Sequence, residues 1–294
     1  MYRSPIFYMM LLPAVVLTLL FSYVPMYGIV IAFQDFKPWL GVSKSEWIGL
    51  AHFTRIYQDS DTKQVLYNTL FIAVLKIIAA MIVPILFALL LNEIRKMVFK
   101  RTVQTLIYLP HFLSWVILAG ILIDILSPNS GLVNKLLGSF GISPIFFLGE
   151  GNWFRFTVIV SDIWKEFGFS TIVYLAALAG INPALYEAAE ADGANRWQQT
   201  LYVTLPGLVP MIIVCGTLSL GNILNANFDQ IYNLYTPLVY SKGDVVDTFV
   251  YRMGIKSGEY GFSAAFGLFK SVISSILIVL SYRLAYKYAN YRIF

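Results

Sequence analysis

The sequence contains few charged residues and a single cysteine. Charged side chains make up 13% of its 294 residues and hydrophobic ones 58%. A soluble domain usually has roughly 25% charged and 45–50% apolar residues. The lone cysteine, Cys215, excludes an internal disulfide framework. A chain this apolar is not a soluble globular domain, and the composition indicates an integral membrane protein.

Motifs of nucleotide and metal chemistry are also missing. The chain has no G-x-x-x-x-G-K-[ST], the loop whose backbone amides hold nucleotide phosphates, so we expect it not to hydrolyse ATP itself. H-E-x-x-H and C-x-x-C are absent, and the two histidines, His52 and His111, lie far apart in sequence. We therefore expect no enzyme activity, no metal site and no bound cofactor in this chain, with each histidine in a structural role.

Long apolar segments dominate the rest of the sequence. A hydrocarbon core of ~30 Å requires about 20 helical residues, and six segments reach that length. They are approximately Ile6–Phe33, Val65–Leu91, Gln104–Ile125, Phe154–Ile181, Gly207–Ala226 and Ser263–Tyr286. The first exceeds the 7–15 apolar residues of a secretion signal, so we expect an uncleaved anchor. The predicted fold is all-α, with six transmembrane helices in one domain, 1–294.

Positive charges are denser on one side of these spans. With both termini inside, the inner segments hold nine Lys and Arg residues in roughly 50 residues and the outer ones eight in roughly 95. The inner nine are Arg3, Arg95, Lys96, Lys100, Arg101, Arg196, Arg283, Lys287 and Arg292. Lys and Arg favour the cytoplasmic side. We therefore expect cytoplasmic termini, with 34–64, 127–153 and 227–262 on the opposite side.

A polar interval, 182–206, joins the fourth and fifth spans on the inner side. Asn182 is a good N-cap and proline suits the next position, so a helix is predicted over Pro183–Ala189. Gly193 can adopt the left-handed conformation that ends a helix. The interval therefore begins with a short helix and a tight turn.

A second short helix is predicted after that turn. Asn195 can cap it, and it should run over Arg196–Thr204. Pro206 should end it before the next span, because proline breaks a helix interior. The interval is thus predicted to stand out of the bilayer as helix, turn and helix.

Part of this interval matches a known pattern. The matching positions in EAAEADGANRWQQTLYVTLP are Glu187, Ala188, Ala189, Gly193, Val203, Leu205 and Pro206. They resemble the EAA loop of the membrane-spanning subunits of binding-protein-dependent ABC importers, with Val203 where that pattern has isoleucine. Residues 234–271 are similar to the polysaccharide-type, LplB-like permeases of maltose-type sugar importers. The resemblance covers nearly the whole chain and implies the type I importer permease fold.

The resemblance also implies partners and roles. Such a permease lies in the bacterial cell membrane with a second permease, expected to be a different chain. Two cytoplasmic ATPase subunits bind ATP and Mg, and an external solute-binding protein delivers an oligosaccharide or polysaccharide fragment. The first helix of the loop is the coupling helix, which seats in a groove on an ATPase. Glu187 would contact a basic group there, Ala188 and Ala189 would allow close seating, and Gly193 would fix the turn.

Charged residues inside the fourth span are the main candidates for a solute path. Asp162 and Glu166 share a helix face, and Lys165 can pair with Asp162. A charge at the bilayer centre costs ~2.5–3.5 kcal/mol, so such residues usually pair or face a cavity. With Trp164 they predict a polar path for solute. The alternative is that they lie near the outer end of the span and extend to the interface.

The fifth span carries two asparagines, Asn222 and Asn225, on one helix face. Amides inside a membrane need partners. They are predicted to line the solute path, and the alternative is packing against a partner permease.

Two function classes remain open. The first is the importer subunit, and the second is a secondary transporter driven by an ion gradient, with Asp162 and Glu166 as proton or cation sites. The charge of the solute is open too. Lys76, Lys165 and Lys270 would suit an acidic sugar unless each has an internal partner.

Overall fold

A computed structural model describes residues 5–289 of the chain. In that range one pair of short antiparallel strands, β1 (Gln34–Asp35) and β2 (Glu46–Trp47), accompanies the helices. The α-helices in chain order are α1 (Pro5–Thr18), α2 (Gly41–Lys44), α3 (Ala51–Gln58), α4 (Ser60–Glu93), α5 (Met97–Tyr108), α6 (Trp115–Leu126), α7 (Leu132–Ser139), α8 (Gly151–Ala179), α9 (Pro183–Ala191), α10 (Arg196–Gln199), α11 (Leu205–Gly221), α12 (Phe228–Leu234), α13 (Tyr240–Gly243), α14 (Val246–Tyr251) and α15 (Tyr260–Ala289). The predicted all-α class is confirmed.

The long helical segments correspond to the six predicted spans. Among the described residues, four are long and apolar enough to cross a membrane, namely Phe7–Phe33, Ser60–Glu93, Arg196–Gly221 and Tyr260–Arg283. Two bent pairs, α5 with α6 and α8 with α9, bring the number to six if each pair is one span. Four of the six predicted segments follow the helices closely, whereas the third is bent and the fifth ends at Gly221 instead of Ala226.

The third predicted span, Gln104–Ile125, is wrong as a single straight helix. Its axis bends by 101° between Met97–Phe112 and Trp115–Leu126. Pro110 lies in the 3₁₀ turn just before the bend and cannot donate a backbone hydrogen bond. Ser114 then starts α6 as its N-cap, with Oγ 3.4 Å from the Ile117 amide. A proline followed by a capped restart produces a sharp break that apolar content alone does not reveal.

The prediction that Pro206 ends the second loop helix is also wrong. From α10 the chain passes through a π-helical turn, Thr200–Thr204, directly into α11. The Leu205 amide donates to the Thr200 carbonyl, five residues back. This turn places Pro206 in the first turn of α11, where a missing N–H costs little. The second loop helix is therefore the end of the fifth span.

Contacts divide the described chain into two compact units. The first comprises residues 5–63 and 249–272. Within it, Arg55 forms an ion pair of 2.5 Å with Glu259 and lies 4.3 Å above the Phe262 ring. His52 Nε2 is 3.1 Å from the Gln34 carbonyl oxygen, which agrees with the predicted structural role.

The second unit comprises residues 64–248 and 273–289 and contains the candidate site. One of its core clusters joins α4, α6, α8 and α12 through the buried side chains of Ile72, Ala119, Phe154, Val158, Ile231 and Leu234. At Gly168 a Cβ atom would lie 1.9 Å from the Ile107 carbonyl oxygen. Only glycine permits α8 and α5 to approach this closely.

Candidate functional site

The second unit holds a cavity of about 630 Å³ beside the end of α11. Its walls come from α4, α8 and the segment that leads from α11 into α12. The polar lining residues are Lys76, Asp162, Glu166, Ser219, Asn222, Asn225, Asn227 and Asp229. Four of the six residues predicted for the solute path, Asp162, Glu166, Asn222 and Asn225, therefore line one cavity.

The cavity exists because the fifth span stops short. The sequence predicts helix to Ala226, but α11 ends at Gly221 and residues 222–227 are not helical. A Cβ atom on Gly221 would lie 2.7 Å from Ile278 Cγ1, so α11 and α15 meet closely there. Asn227 has a left-handed backbone, with φ 70°, and its side chain caps α12. Asparagine tolerates this conformation better than most residues.

A buried polar node, defined by Lys76, Asp162, Asn227 and Gln230, fixes this broken segment. The Lys76 ammonium donates to Asp162 Oδ1 at 3.1 Å, to the Ala226 carbonyl at 3.1 Å and to Gln230 Oε1. A lysine has three N–H donors, and all three are used. The Asn227 amide also donates to Asp162 Oδ1, at 3.3 Å.

Gln230 extends the node into α8. Its Nε2 donates to the Val158 carbonyl at 2.7 Å and to Ser161 Oγ at 2.9 Å. Because Lys76 lies on α4 and Gln230 on α12, the node joins three helices at the point where α11 breaks. It was missed from the sequence, since its partners lie 65 to 154 positions apart.

The predicted pair of Lys165 with Asp162 is wrong. Asp162 is engaged by Lys76, and Lys165 donates instead to Glu166 Oε1 at 2.9 Å and to the His111 carbonyl at 2.8 Å. The other oxygen of Glu166 lies 2.7 Å from His111 Nδ1. The bend between α5 and α6 brings His111 to α8, which turns Lys165 away from Asp162 and gives His111 the predicted structural role.

The other two predicted path residues, Trp164 and Lys165, do not line the cavity. Trp164 is 46% exposed. The Asp162 and Lys165 side chains are only 18% and 8% exposed, so they do not extend to an interface as the alternative required. Lys76 and Lys165 both have internal partners and supply no argument for an acidic solute.

The first helix and the turn predicted within 182–206 are present, and the second helix begins at Arg196 as predicted but continues into α11. Asn182 Oδ1 accepts a hydrogen bond from the Ala184 amide at 3.0 Å and starts α9. Gly193 has φ +80°, and the Ala194 amide donates to the Ala189 carbonyl at 2.9 Å. This 6→1 bond is typical of a glycine-terminated helix.

The second helix of the loop has the predicted Asn195 cap, and Gln198 completes it as a capping box. The Asn195 side chain accepts from the Gln198 amide at 2.9 Å, and Gln198 Oε1 accepts from the Asn195 amide at 2.8 Å. Tyr186 and Thr204 join the two halves of the loop through their hydroxyls, 3.0 Å apart.

The residues of the EAA pattern differ in their exposure to solvent. Glu187, Ala188 and Gly193 are exposed, whereas Ala189 is half-buried. In the returning half, Val203 and Leu205 are half-buried and Pro206 is exposed. The axis of α9 makes an angle of 69° with α8, so the loop turns sharply at the end of the fourth span. Its first helix presents exposed small residues, with two carboxylates at Glu187 and Glu190, that this unit does not cover.

These features define a multi-pass α-helical membrane protein with a polar cavity at a broken span and a rigid loop at one end of its spans. The chain belongs to the family of binding-protein-dependent transport system inner membrane components, whose model matches residues 80–293. It is thus a permease of an ABC importer, with the type I permease fold. Membership favours the importer hypothesis over the ion-driven secondary transporter.

Individual relatives and solved structures agree with this assignment. The polygalacturonan/rhamnogalacturonan transport system permease protein YteP of Bacillus subtilis is 45% identical over 96% of this chain and 88% of its own length. Protein LplB of the same organism is 44% identical over 94% and 87%. A chain of a bacterial ABC transporter involved in the import of the acidic polysaccharide alginate matches with a TM-score of 0.90 and 40% identity, over 97% of this chain and 96% of that one.

Proposed function

We propose that this chain forms one half of the translocation path of an ATP-driven importer of oligosaccharides or polysaccharide fragments. The observation that carries the proposal is the cavity beside the broken end of α11, found in a permease of this family. The named relatives that transport polygalacturonan, rhamnogalacturonan and alginate support a saccharide as solute.

The lining of the cavity suits a hydroxyl-rich solute. Asn225 offers two N–H donors and an acceptor, and Asp229 offers acceptors. Asn222 offers an acceptor and one donor, since its amide also donates to the Leu218 carbonyl at 3.4 Å. The Phe228 ring adds an apolar surface beside them. In this proposal the polar node positions the segment and does not contact the sugar directly, whereas the two asparagines do.

The proposed coupling element is α9. Glu187 faces a basic group on a cytoplasmic ATPase subunit, Ala188 and Ala189 allow close contact, and Gly193 fixes the turn. Val203, Leu205 and Pro206 anchor the loop on the fifth span. ATP and Mg bind to the ATPase subunits and not to this chain, which has no enzyme activity. Closure of those subunits moves α9, and packed helices transmit the movement by switching between discrete arrangements.

The proposed assembly contains four further chains. A second, different permease completes the path, two ATPase subunits bind on the cytoplasmic side, and an extracytoplasmic solute-binding protein delivers the saccharide. The density of Lys and Arg supports a cytoplasmic location for both termini. Arg3, Arg292 and the Lys287 side chain, which enter that count, lie outside the described residues. Residues 1–294 act as one permease domain, with 34–64, 127–153 and 227–262 facing outward.

Reconstitution of the complete complex tests this function. Solute-binding protein loaded with a saccharide should stimulate ATP hydrolysis and drive uptake into proteoliposomes. Replacing Asn225 by leucine should reduce uptake by roughly tenfold or more, because buried sugar hydroxyls would lose their partners. Asn222→Leu should act in the same direction.

Trp164→Ala is the matched control for the two asparagine variants. Its side chain does not line the cavity, so uptake should stay near that of the wild type. Uptake by this chain alone, following an ion gradient without ATP, would contradict the proposal and support the secondary transporter.

A further inference from the structure

A second cavity, of about 400 Å³, lies beside the coupling loop and has no role in the function above. It is a groove between the end of α4 and α10, with an apolar floor of Leu86, Leu89, Leu90 and Trp197. Leu90 is 64% exposed and Trp197 is 70% exposed, so this unit leaves the groove uncovered. An exposed apolar groove of this kind marks an interaction site.

The mouth of the groove is polar and carries an ion pair. Arg196 Nη1 lies 3.0 Å from Glu93 Oε2 across the two helices. Asn92, Thr200 and Thr204 complete the rim. Because Glu93 neutralises Arg196, the rim itself has no net charge.

A basic quartet, defined as Arg95, Lys96, Lys100 and Arg101, begins two residues beyond that ion pair. None of the four forms a salt bridge with any residue in the part of the chain that the structure describes. Arg95, Lys96 and Arg101 are exposed, and Lys100 is half-buried. The chain therefore places four cations without a salt bridge in the segment that directly follows the groove-lining end of α4.

Three exposed apolar side chains lie between the two pairs of cations. Met97, Val98 and Phe99 are all exposed on the first turn of α5, directly between Lys96 and Lys100. A helix that combines a basic face with exposed apolar residues is typical of the membrane interface. The quartet therefore belongs at the level of the lipid headgroups and the groove at the level of the adjoining acyl chains.

We propose that this groove binds an anionic phospholipid of the cytoplasmic leaflet. One acyl chain lies against Leu86, Leu90 and Trp197, and the phosphate lies against the basic quartet. A solute would find too few polar partners on this floor, and the four cations match an anionic headgroup. The assignment to the cytoplasmic leaflet rests on the orientation in the proposed function.

Because the site lies beside the coupling loop, a bound lipid should affect transport. Arg196 and Trp197 belong to α10, which follows the coupling turn at Gly193. A bound lipid therefore braces the returning half of the coupling loop against α4. ATP hydrolysis by the complex should accordingly respond to saccharide more strongly in membranes that contain anionic lipid.

Fluorescence quenching of Trp197 tests the binding. The assembled transporter would be placed in nanodiscs that contain either phosphatidylglycerol or phosphatidylcholine with brominated acyl chains. Subtracting the Trp197→Phe variant isolates the signal of this tryptophan from the other five in the chain. We expect stronger quenching by phosphatidylglycerol, and each Lys or Arg of the quartet replaced by Gln should weaken that preference by about fivefold at low salt.

The matched control replaces Lys37 and Lys44, which lie in the segment 34–64, and should leave the preference unchanged. Equal quenching by the two lipids, or a preference unaffected by the quartet variants, would overturn the proposal. Quenching that appears only in the absence of the ATPase subunits would assign the groove to the ATPase and overturn it as well. The readout needs no transport, so a complex that binds the lipid but imports no saccharide would count against the proposed function alone.

Discussion

Gly193→Val is expected to abolish most ATP-driven uptake while the protein remains in the membrane. Gly193 has φ +80°, and a Cβ atom there would meet no other atom within 4 Å. The effect is therefore one of backbone conformation and not of collision. A β-branched residue held in this conformation costs about 1–3 kcal/mol. The turn should relax, α9 should lose its orientation relative to α10, and uptake should fall by roughly tenfold or more.

Two controls separate coupling from general strain. Gly193→Asn should retain substantial uptake, because asparagine tolerates the left-handed conformation. Gly141 has φ +77° and equally open surroundings, in the segment 127–153. Gly141→Val therefore imposes a similar strain away from the coupling loop and should leave uptake nearly normal. Uptake and ATP hydrolysis, both measured in the same proteoliposomes, distinguish loss of coupling from general strain. Normal uptake by Gly193→Val would contradict the coupling role of the turn.

Lys76→Met is expected to lower both the stability of the second unit and the uptake of saccharide strongly. It leaves the Asp162 carboxylate without its cation and removes a donor from both Gln230 and the Ala226 carbonyl. Removing one partner of a buried ion pair typically costs about 3–5 kcal/mol. Segment 222–227 should lose its fixed position, so thermal stability in detergent and saccharide uptake should fall together.

The double variant Lys76→Met, Asp162→Asn tests the reason for that damage. It removes both charges, and a neutral replacement of a buried pair is often tolerated. We expect it to be more stable than Lys76→Met alone and to recover part of the uptake. Such recovery would also show that the Asp162 carboxylate carries no proton or cation. A double variant no better than the single one would contradict the role given to the node.

The caps and the turn of the coupling loop could be predicted from sequence because the residues that determine them act on nearby backbone groups. Asn182, Gly193 and Asn195 act on backbone groups only two to five residues away, and each does what its residue type favours. Four of the six spans could be predicted closely as well, since membrane thickness sets their length. The prediction that Pro206 ends a helix was wrong although its cause is also local. The π turn before Pro206 places this proline in the first turn of α11.

The solute site could be predicted only in part. The sequence marked Asp162, Glu166, Asn222 and Asn225 because charges and amides are costly inside a membrane. It could not identify their partners. Lys76 lies 86 residues from Asp162 and 154 from Gln230, and no local pattern distinguishes it from Lys165. The bend near Pro110, which brings His111 to Glu166, could not be predicted either, because it lies within a continuous apolar segment.

Site-directed cross-linking from α9 tests the central claim most directly. Cys215 is the single native cysteine, so Cys215→Ser provides a background in which Ala188→Cys is unique. A short cross-linker should join this cysteine to an ATPase subunit in the assembled complex, with a yield that changes when ATP binds. In intact cells an impermeant thiol reagent should leave it unlabelled. Labelling from outside, or the absence of any ATPase adduct in an active complex, would contradict the account.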